Sequence, residues 1–237
     1  MQIIFEDRWI CVVNKPWGMV VNNAKTNKGL TVQDWFLQKD LGLEVGDGEK
    51  DTEFALKGGV VHRLDKDTSG ILVLVKTLKA YNGLKSQFLE RKVSKTYLAL
   101  VHGEMKPAEG VISLPIERHP KVWGKFAVGT DLSLTAITEW KTMGKYTWQN
   151  EVYTLLELKP HTGRTHQLRV HMKHLEHPIV ADPIYGGKAA KKDLELCPRL
   201  FLHAGKLEFS HPDSGERLEF EAKLPEELEL VLQKLVH

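Results

Sequence analysis

The chain has 237 residues, and its 42% apolar content supplies enough material to bury a sizeable core. This composition excludes an intrinsically disordered chain, and no stretch approaches the roughly 18 consecutive apolar residues that a membrane-spanning helix needs. The formal net charge is only +2, so the bulk charge does not by itself indicate a nucleic-acid partner.

The N-terminal part of the sequence predicts short strands, turns and two helices. An alternating strand over Ile3–Val13 leads into a turn at Asn14–Gly18, and a helix over Thr31–Leu41 begins with Thr31 as the expected N-cap. The continuous apolar run at 71–76 predicts a strand buried on both faces. Further helical and strand patterns follow at Leu78–Arg91 and Thr96–Val101.

The C-terminal half is predicted to be rich in strands. Glu109–Gly129 contains two prolines and predicts irregular structure, whereas a turn at His161–Gly163 is followed by a helix over Arg164–Leu175. A terminal helix is expected from Pro225 to His237. The remaining predicted strands are 133–143 and 151–159, joined around Gly144, and then 199–207 and 217–220.

Many strands, few helices and no regular βαβ alternation predict an α+β fold with a mixed sheet. No linker, repeat or low-complexity tract divides the sequence, so residues 1–237 are expected to form one catalytic domain, bilobed around a cleft. The N-terminus lacks a basic region before an apolar stretch, which excludes a signal peptide. Cys11 and Cys197 form no CxxC pair, so we expect a reducing, cytoplasmic environment, and a monomer by default.

Charge is unevenly distributed along the chain. From Lys57 to Lys95 there are nine basic and three acidic residues, a balance of +6, whereas His211–His237 has three basic and seven acidic residues, a balance of −4. The first segment would suit a polyanion, and ordinary solvated helix faces are the alternative interpretation. The cations expected to contact an RNA backbone are Lys76, Lys79, Lys85, Arg91 and Lys92.

The segment HRLDKDTSG, residues 62–70, concentrates acids, cations, hydroxyls and a histidine in one loop before the buried strand. Loops on rigid strands commonly carry catalytic groups, and a carboxylate here, Asp65, is suited to act as a nucleophile or base. A purely structural turn is the alternative, in which Asp67 and Thr68 bond backbone amides and Gly70 adopts a positive φ.

The segment HTGRTHQLRVH, residues 161–171, places several donor-rich side chains at the predicted start of a helix. Such a place is suited to hold phosphate or to clamp a carboxylate with Arg169. Zinc is the alternative, but no HExxH is present and Glu176 is the single carboxylate nearby, so no metal is expected. Tyr97 alternates against Leu98 and Leu100, and a core tyrosine is its simplest interpretation.

These motifs together resemble the RluA-type RNA pseudouridine synthases, from about residue 3 to about residue 225. The other stretches that carry the resemblance are NKPWG at 14–18, KTYLALVHG at 95–103, HPIVADPIYG at 177–186 and RLFLHAGKLEFSHP at 199–212. The resemblance implies a mixed, largely antiparallel sheet with flanking helices and a catalytic cleft across the sheet. It also implies a stand-alone catalytic domain, because the RNA-binding S4 domain of many family members has no counterpart here.

The resemblance implies a role for each matching residue. Asp65 corresponds to the catalytic aspartate, and Tyr97 to the tyrosine that packs against the target base and is proposed to move the C5 proton. Arg169 corresponds to the basic residue that pairs with the aspartate, and Arg63 to the arginine that helps displace the target nucleotide. The residues that we further expect to contact RNA are His62, Arg164, His166 and Gln167.

The implied activity is the isomerisation of specific uridines to pseudouridine in structured rRNA, tRNA or both, after flipping of the target base. Asp65 would either trap the sugar at C1′ or remove a sugar proton to give a glycal, and the sequence does not choose between them. No cofactor or metal is required. Two rivals remain: an inactive RNA-binding protein of the same fold, and an unrelated hydrolase that uses Asp65 with His62 or Asp67.

Overall fold

The computed structural model describes residues 1–23, 28–46, 48–49 and 52–236. The strands are β1 (Gln2–Glu6), β2 (Ile10–Lys15), β3 (Ser69–Val75), β4 (Ser94–His102), β5 (Glu109–Arg118), β6 (Phe126–Val128), β7 (Thr135–Trp148), β8 (Glu151–Pro160), β9 (Leu202–Ser210) and β10 (Arg217–Glu221). The α-helices are α1 (Val32–Gln38), α2 (Glu53–Leu56), α3 (Leu78–Leu89), α4 (Gln167–His174), α5 (Ala189–Lys192) and α6 (Glu226–Lys234). This mostly antiparallel, strand-rich α+β architecture confirms the predicted fold class.

The chain divides into two compact units, Met1–Ser94 with Ala204–Ala222, and Lys95–His203 with Lys223–His237. In the first unit the strand order is β1-β2-β3-β9, with β10 paired to β9. Every residue of β3 is buried, as its continuous apolar run predicts. Its side chains pack with Leu84 of α3 and Phe209 of β9 in one apolar cluster, which fixes the strand that follows the loop at 62–70.

The single strand predicted over Ile3–Val13 is wrong, because β1 and β2 form a hairpin. The Asp7 carboxylate accepts hydrogen bonds from the backbone N–H groups of Trp9 and Ile10 at 2.7 and 2.8 Å. Such a side-chain-stabilised turn reverses the chain inside an apparently continuous strand pattern. The N-cap prediction for α1 is confirmed, since Thr31 and Asp34 form a complete capping box.

In the second unit the strand order is β4-β8-β7-β5-β6, with every one of these pairs antiparallel. The irregular structure predicted for Glu109–Gly129 is wrong. Pro115 lies within β5, opposite Thr135 of β7, and β6 returns along the other edge of β5. Pro115 therefore lies in a strand and Pro120 in the loop of a hairpin, and neither proline prevents β5 from pairing with β6 and β7.

The chain reversal between β7 and β8 is also displaced from the predicted position at Gly144. Gly144 lies inside β7, beside a register shift that follows Thr142. The strand continues to Trp148, and the turn is made by Gln149 and Asn150, which both have positive φ. Asparagine accepts this backbone conformation more readily than most residues, so the turn forms there without glycine.

Gly70 ends the loop at 62–70 in a backbone conformation that only glycine accepts readily. Its φ is +119°, and a Cβ placed on it would lie 2.2 Å from the Ala204 carbonyl oxygen of β9. The contact is with backbone, so it cannot be relieved by a side-chain rotation. Glycine is therefore required for the loop to enter β3 at this place.

We expect Gly70→Ala to lower the free energy of unfolding by at least about 2 kcal/mol, because strain and a backbone clash add. Equilibrium denaturation would measure this loss. Gly163→Ala is the control, since a Cβ added at Gly163 would meet no atom within 4 Å and the φ of this residue is not positive. An alanine tolerated equally at both positions would contradict the prediction.

His171 of α4 is fully buried, and its Nδ1 lies 2.9 Å from the Thr138 hydroxyl. Burial lowers the pKa of His171 from 6.5 to about 4. Between these values the unfolded chain binds more protons than the folded one, so stability falls as the pH falls through this window. We expect His171 to account for about 2 kcal/mol of lost unfolding free energy between pH 7 and pH 5.

Denaturation of wild type and His171→Gln at the two pH values would test this assignment. The glutamine does not titrate, so the variant should lose less stability on acidification than wild type. Equal losses in the two proteins would assign the acid sensitivity to other groups.

Candidate active site

The Lys15 ammonium group connects the turn at 14–18 to the loop at 62–70. Its side chain is fully buried, and Nζ donates to the carbonyl oxygens of Pro16, Met19 and Lys66 at 2.9, 2.9 and 3.2 Å. The Lys66 carbonyl also accepts the Gly18 N–H at 2.8 Å. A buried cation needs such acceptors, so the position of the Asp65 loop depends on Lys15.

His62 and Arg63, two predicted RNA-binding residues, have different surroundings. The His62 ring stacks on Phe88 with centroids 4.7 Å apart, and its Nε2 accepts the Val73 N–H at 3.0 Å. This fixes the tautomer with the proton on Nδ1. Arg63 is exposed, so its guanidinium is accessible to a nucleic acid.

Asp65 follows buried Leu64 and is itself partly exposed. Its carbonyl oxygen accepts the Thr68 N–H at 3.1 Å, so residues 65–68 form a turn. The positive φ that the structural interpretation predicts for Gly70 is confirmed, whereas the bonds of the Asp67 and Thr68 side chains to backbone amides stay a prediction. The structural interpretation does not account for the Asp65 carboxylate, which is the group expected to be catalytic.

Most lysines of the basic segment form ion pairs within the protein, so their contact with an RNA backbone stays a prediction. Lys76 is nearly buried and pairs with Glu6 at 2.6 Å, and Lys79 pairs with Asp213 at 2.7 Å. The remaining pairs are Lys85 with Glu53, and Lys92 with Glu90. Glu6, Asp213 and Glu53 lie outside the basic segment, so its local balance of +6 overstates the field that an RNA would meet.

In the second unit, Lys95 and Tyr97 lie two residues apart on β4. Tyr97 is opposite Leu158 of β8, and its partly buried ring packs against the apolar cluster of this unit. Lys95 Nζ donates to the Thr162 carbonyl oxygen at 3.2 Å. Burial lowers the pKa of Lys95 to about 8. Lys95 therefore ties β4 to the loop at 161–166.

Gln167 fixes the same loop from the first residue of α4. Its Oε1 accepts from the Thr162 hydroxyl at 2.7 Å and from Arg164 N–H at 3.1 Å. Its Nε2 donates to the Ile137 carbonyl and the Thr138 hydroxyl at 2.9 and 3.0 Å. The Gln167 amide is thus occupied by internal bonds, whereas Arg164 is exposed.

The helix predicted from Arg164 begins later, at Gln167, because His166 precedes it with a φ of +55°. His166 Nδ1 lies 2.9 Å from the Tyr185 hydroxyl, which also accepts the Phe126 N–H at 3.0 Å. Tyr185 is buried and therefore orients the His166 ring. His166 therefore precedes the helix and is not part of it.

Arg169 is 1% exposed and forms a two-point ion pair with Asp182, which is 0% exposed. Arg169 Nε and Nη2 donate to the two carboxylate oxygens at 2.8 and 2.7 Å. Asp182 Oδ1 also accepts the N–H groups of Ile184 and Tyr185, both at 2.9 Å. The guanidinium carbon lies 5.3 Å from the Tyr185 ring centroid. Arg169 is therefore held rigidly on α4.

The structure places the predicted site residues in two groups. The loop of the first unit carries His62, Arg63 and Asp65, and the second unit carries the remainder, which are Tyr97, Arg164, His166, Gln167 and Arg169. Sequence reasoning missed Asp182, Tyr185 and Lys95 as supporting residues. The family-like motifs at 177–186 and 95–103 contain these three residues, so the sequence did mark their positions.

No cluster of three metal-ligating side chains occurs among the residues that the structure describes. The described helices include none long and apolar enough to cross a membrane. Cys11 and Cys197 are both free and buried, and burial raises the pKa of their thiols to about 12 and about 11.

Known proteins resemble the chain in both sequence and fold. The family model described as RNA pseudouridylate synthase matches residues 10–174. A ribosomal large subunit pseudouridine synthase D of Xanthomonas campestris is 38% identical over 99% of this chain and 69% of its own length. An uncharacterized RNA pseudouridine synthase of Bacillus subtilis is 36% identical over 99% of this chain and 73% of its own length.

A solved structure agrees with the sequence matches. Human RNA pseudouridylate synthase domain containing 1 superimposes with a TM-score of 0.73 and 28% identity, covering 94% of this chain and 83% of that one. The family match spans more than half of the chain and includes both the motif with Asp65 and the motif with Arg169. The chain therefore belongs to the RNA pseudouridylate synthase family, whose enzymes convert uridine in RNA to pseudouridine.

Proposed function

We propose that this enzyme isomerises uridine in ribosomal RNA, with Asp65 as its catalytic carboxylate. The observation that carries the rRNA assignment is the 38% identity, over 99% of the chain, to a protein named for the large ribosomal subunit. The Asp65 assignment is supported by the loop itself. Asp65 is partly exposed on a loop that is anchored by a buried lysine and continues into the fully buried β3.

The reaction needs no net change in atoms. The N1–C1′ bond breaks, the base rotates, a C5–C1′ bond forms, and the proton at C5 is lost as N1 gains one. A carboxylate at Asp65 can bond to C1′ of the sugar, as in retaining glycosidases, or can remove a sugar proton to give a glycal. We propose Tyr97 as the group that packs against the base and moves the C5 proton, because its ring is partly buried on a rigid strand.

Arg169 is proposed to stabilise the negative charge of the Asp65 carboxylate. The contacts of Arg169 Nε and Nη2 with Asp182 fix the plane of the guanidinium. Because Asp182 and Tyr185 already fix the Arg169 side chain, little conformational entropy remains to be lost when it binds another acceptor. The pairing of Arg169 with Asp65 itself remains a prediction.

The target base must leave its stack before Asp65 can reach C1′, which costs a few kcal/mol. We propose that Arg63 occupies the vacated position, because it is exposed and lies two residues before Asp65. His62, Arg164 and His166 are proposed RNA contacts. Gln167 is proposed to act indirectly, by holding the loop at 161–166 in place, since its amide groups are occupied.

A transfer RNA target, alone or beside rRNA, stays open in this proposal.

The match from residue 10 to residue 174 includes residues of both compact units, which supports one catalytic domain over 1–237. A cytoplasmic location is supported by the two unpaired cysteines and the rRNA in the relatives' names. The monomeric state remains a prediction.

Asp65→Asn should abolish tritium release from RNA labelled with [5-³H]uridine, because the amide can neither trap C1′ nor remove a proton. Wild type should release tritium from a large-subunit rRNA transcript, and a tRNA pool run in parallel would reveal dual specificity. Asp67→Asn is the matched control on the same loop and should retain activity.

Retention of activity by Asp65→Asn would refute the assignment of the catalytic residue. If wild type bound rRNA but released no tritium from it, the inactive RNA-binding alternative would replace the proposal. Release of free uracil, in contrast, would indicate the hydrolase.

Asp182→Asn should lower kcat about 10- to 100-fold, because Arg169 would lose its charged partner and its fixed position. The amide oxygen can still accept the Ile184 and Tyr185 N–H groups, so the local backbone should persist. The control is Glu227→Gln, which weakens the pair that Glu227 forms with buried Arg199 at 3.0 Å. Both variants should lose some stability. A kcat unchanged by Asp182→Asn would show that Asp182 does not position Arg169 for catalysis.

A further inference from the structure

The connection between β5 and β6 forms a protruding hairpin, here called the Trp123 hairpin and defined as residues 118–126. Arg118 pairs with Phe126 at its base. The His119 N–H donates to the Lys125 carbonyl at 2.8 Å, and the Lys125 N–H donates to the Val122 carbonyl at 3.3 Å. These bonds give the loop a defined backbone, although its sequence contains a proline and a glycine.

Trp123 lies at the tip and is 93% exposed, the highest value among the exposed large apolar residues of the described chain. An indole normally buries 150–250 Å² and contributes strongly to folding, so a tryptophan left in water contributes almost nothing to this fold. The Arg118 guanidinium contacts its ring, with the guanidinium carbon 5.9 Å from the ring centroid. The stability of the fold therefore does not explain why a tryptophan occupies this exposed position, whereas a binding role would explain it.

The charge of the hairpin is of one sign. Residues 118–125 read RHPKVWGK, with three cations and no acidic residue. In the part of the chain that the structure describes, the ion pairs include none from Arg118, Lys121 or Lys125, unlike the lysines of α3 and its surroundings. This short segment therefore presents an uncompensated positive charge to solvent.

The base of the hairpin is connected to the helix that carries Arg169. The Phe126 N–H donates to the Tyr185 hydroxyl at 3.0 Å, and the same hydroxyl lies 2.9 Å from His166 Nδ1. Lys125 Nζ and the Arg169 guanidinium carbon each lie 5.3 Å from the Tyr185 ring centroid. A ligand held by the hairpin would thus be held at a fixed place relative to α4.

We propose that the Trp123 hairpin is an RNA-docking surface, on which an unpaired base outside the target nucleotide stacks on Trp123 while Arg118 and Lys121 contact the adjoining phosphates. An exposed aromatic ring between cations is the combination that binds single-stranded nucleic acid without reading its sequence. Charge complementarity favours RNA over an apolar protein surface. The proposal rests on the proposed function in taking RNA as the substrate, and it adds a contact outside the reacting nucleotide.

The test compares wild type, Trp123→Ala and Trp123→Phe in their binding to an unstructured single-stranded RNA oligonucleotide and in their kinetics on the rRNA transcript. Loss of one stacked base should raise Kd and KM about 5- to 100-fold in Trp123→Ala. The phenylalanine variant should keep most of the affinity, and kcat should stay unchanged. Leu89→Ala is the matched control, because Leu89 is exposed on α3 and should not affect binding.

Lys121→Ala adds a second, independent readout. Removing one phosphate contact should reduce the slope of log Kd against log salt by about 1, whereas Trp123→Ala should leave this slope unchanged. The two variants therefore distinguish the stacking contact from the phosphate contact. If the substitutions simply unfolded the hairpin, both variants would change the affinity and the salt slope together.

Equal RNA affinity of Trp123→Ala and wild type would overturn the proposal and leave a protein partner as the occupant of the hairpin. Absence of any affinity of wild type for the oligonucleotide would overturn it as well. If Trp123→Ala lost affinity while wild type showed no turnover of rRNA, the docking surface would stand and the proposed rRNA activity would fail.

Discussion

The buried guanidinium of Arg169 constrains how α4 and the segment at 177–186 are arranged in the second unit. A charge removed from water is tolerated only when it is paired and its hydrogen bonds are satisfied. Asp182 meets this requirement with both carboxylate oxygens, and the same carboxylate organises the following backbone through Ile184 and Tyr185. The conformation of HPIVADPIYG is therefore a consequence of where Arg169 lies, and the motif has a physical reason to contain an aspartate at that position.

The first unit uses a buried cation in a comparable way. Lys15 donates to three backbone carbonyls, one of which belongs to the Asp65 loop. In both units a cation inside one motif fixes a loop of another motif. Polar contacts thus hold loops that are distant in sequence in their positions, while the apolar clusters hold the strands that carry these loops.

The sequence predicts the regular apolar elements of this fold well, and it fails where polar side chains decide the chain path. The all-buried β3 and the α1 cap follow from periodicity and capping rules. Asp7, by contrast, splits a strand by bonding its own backbone, and Pro115 is accommodated inside β5. The basic segment misleads for a similar reason, because Glu6 and Asp213, which neutralise Lys76 and Lys79, are remote in sequence. The site motifs were visible, but Asp182 and Tyr185 acquire their meaning only from contacts in three dimensions.

The neutralised lysines also change where RNA affinity should originate. Exposed pairs of opposite charge leave little net field, and a nearly buried cation such as Lys76 cannot reach a phosphate. The uncompensated cations of the Trp123 hairpin lie instead on a short, hydrogen-bonded loop, so ordering them on a ligand costs less than ordering a flexible chain. Tyr185 joins this loop to His166 and to the ring contact with Arg169. The Tyr185 hydroxyl contacts the hairpin and the entry of α4, and the Tyr185 ring contacts Arg169, so one buried residue connects the proposed RNA-docking surface to the proposed catalytic arginine.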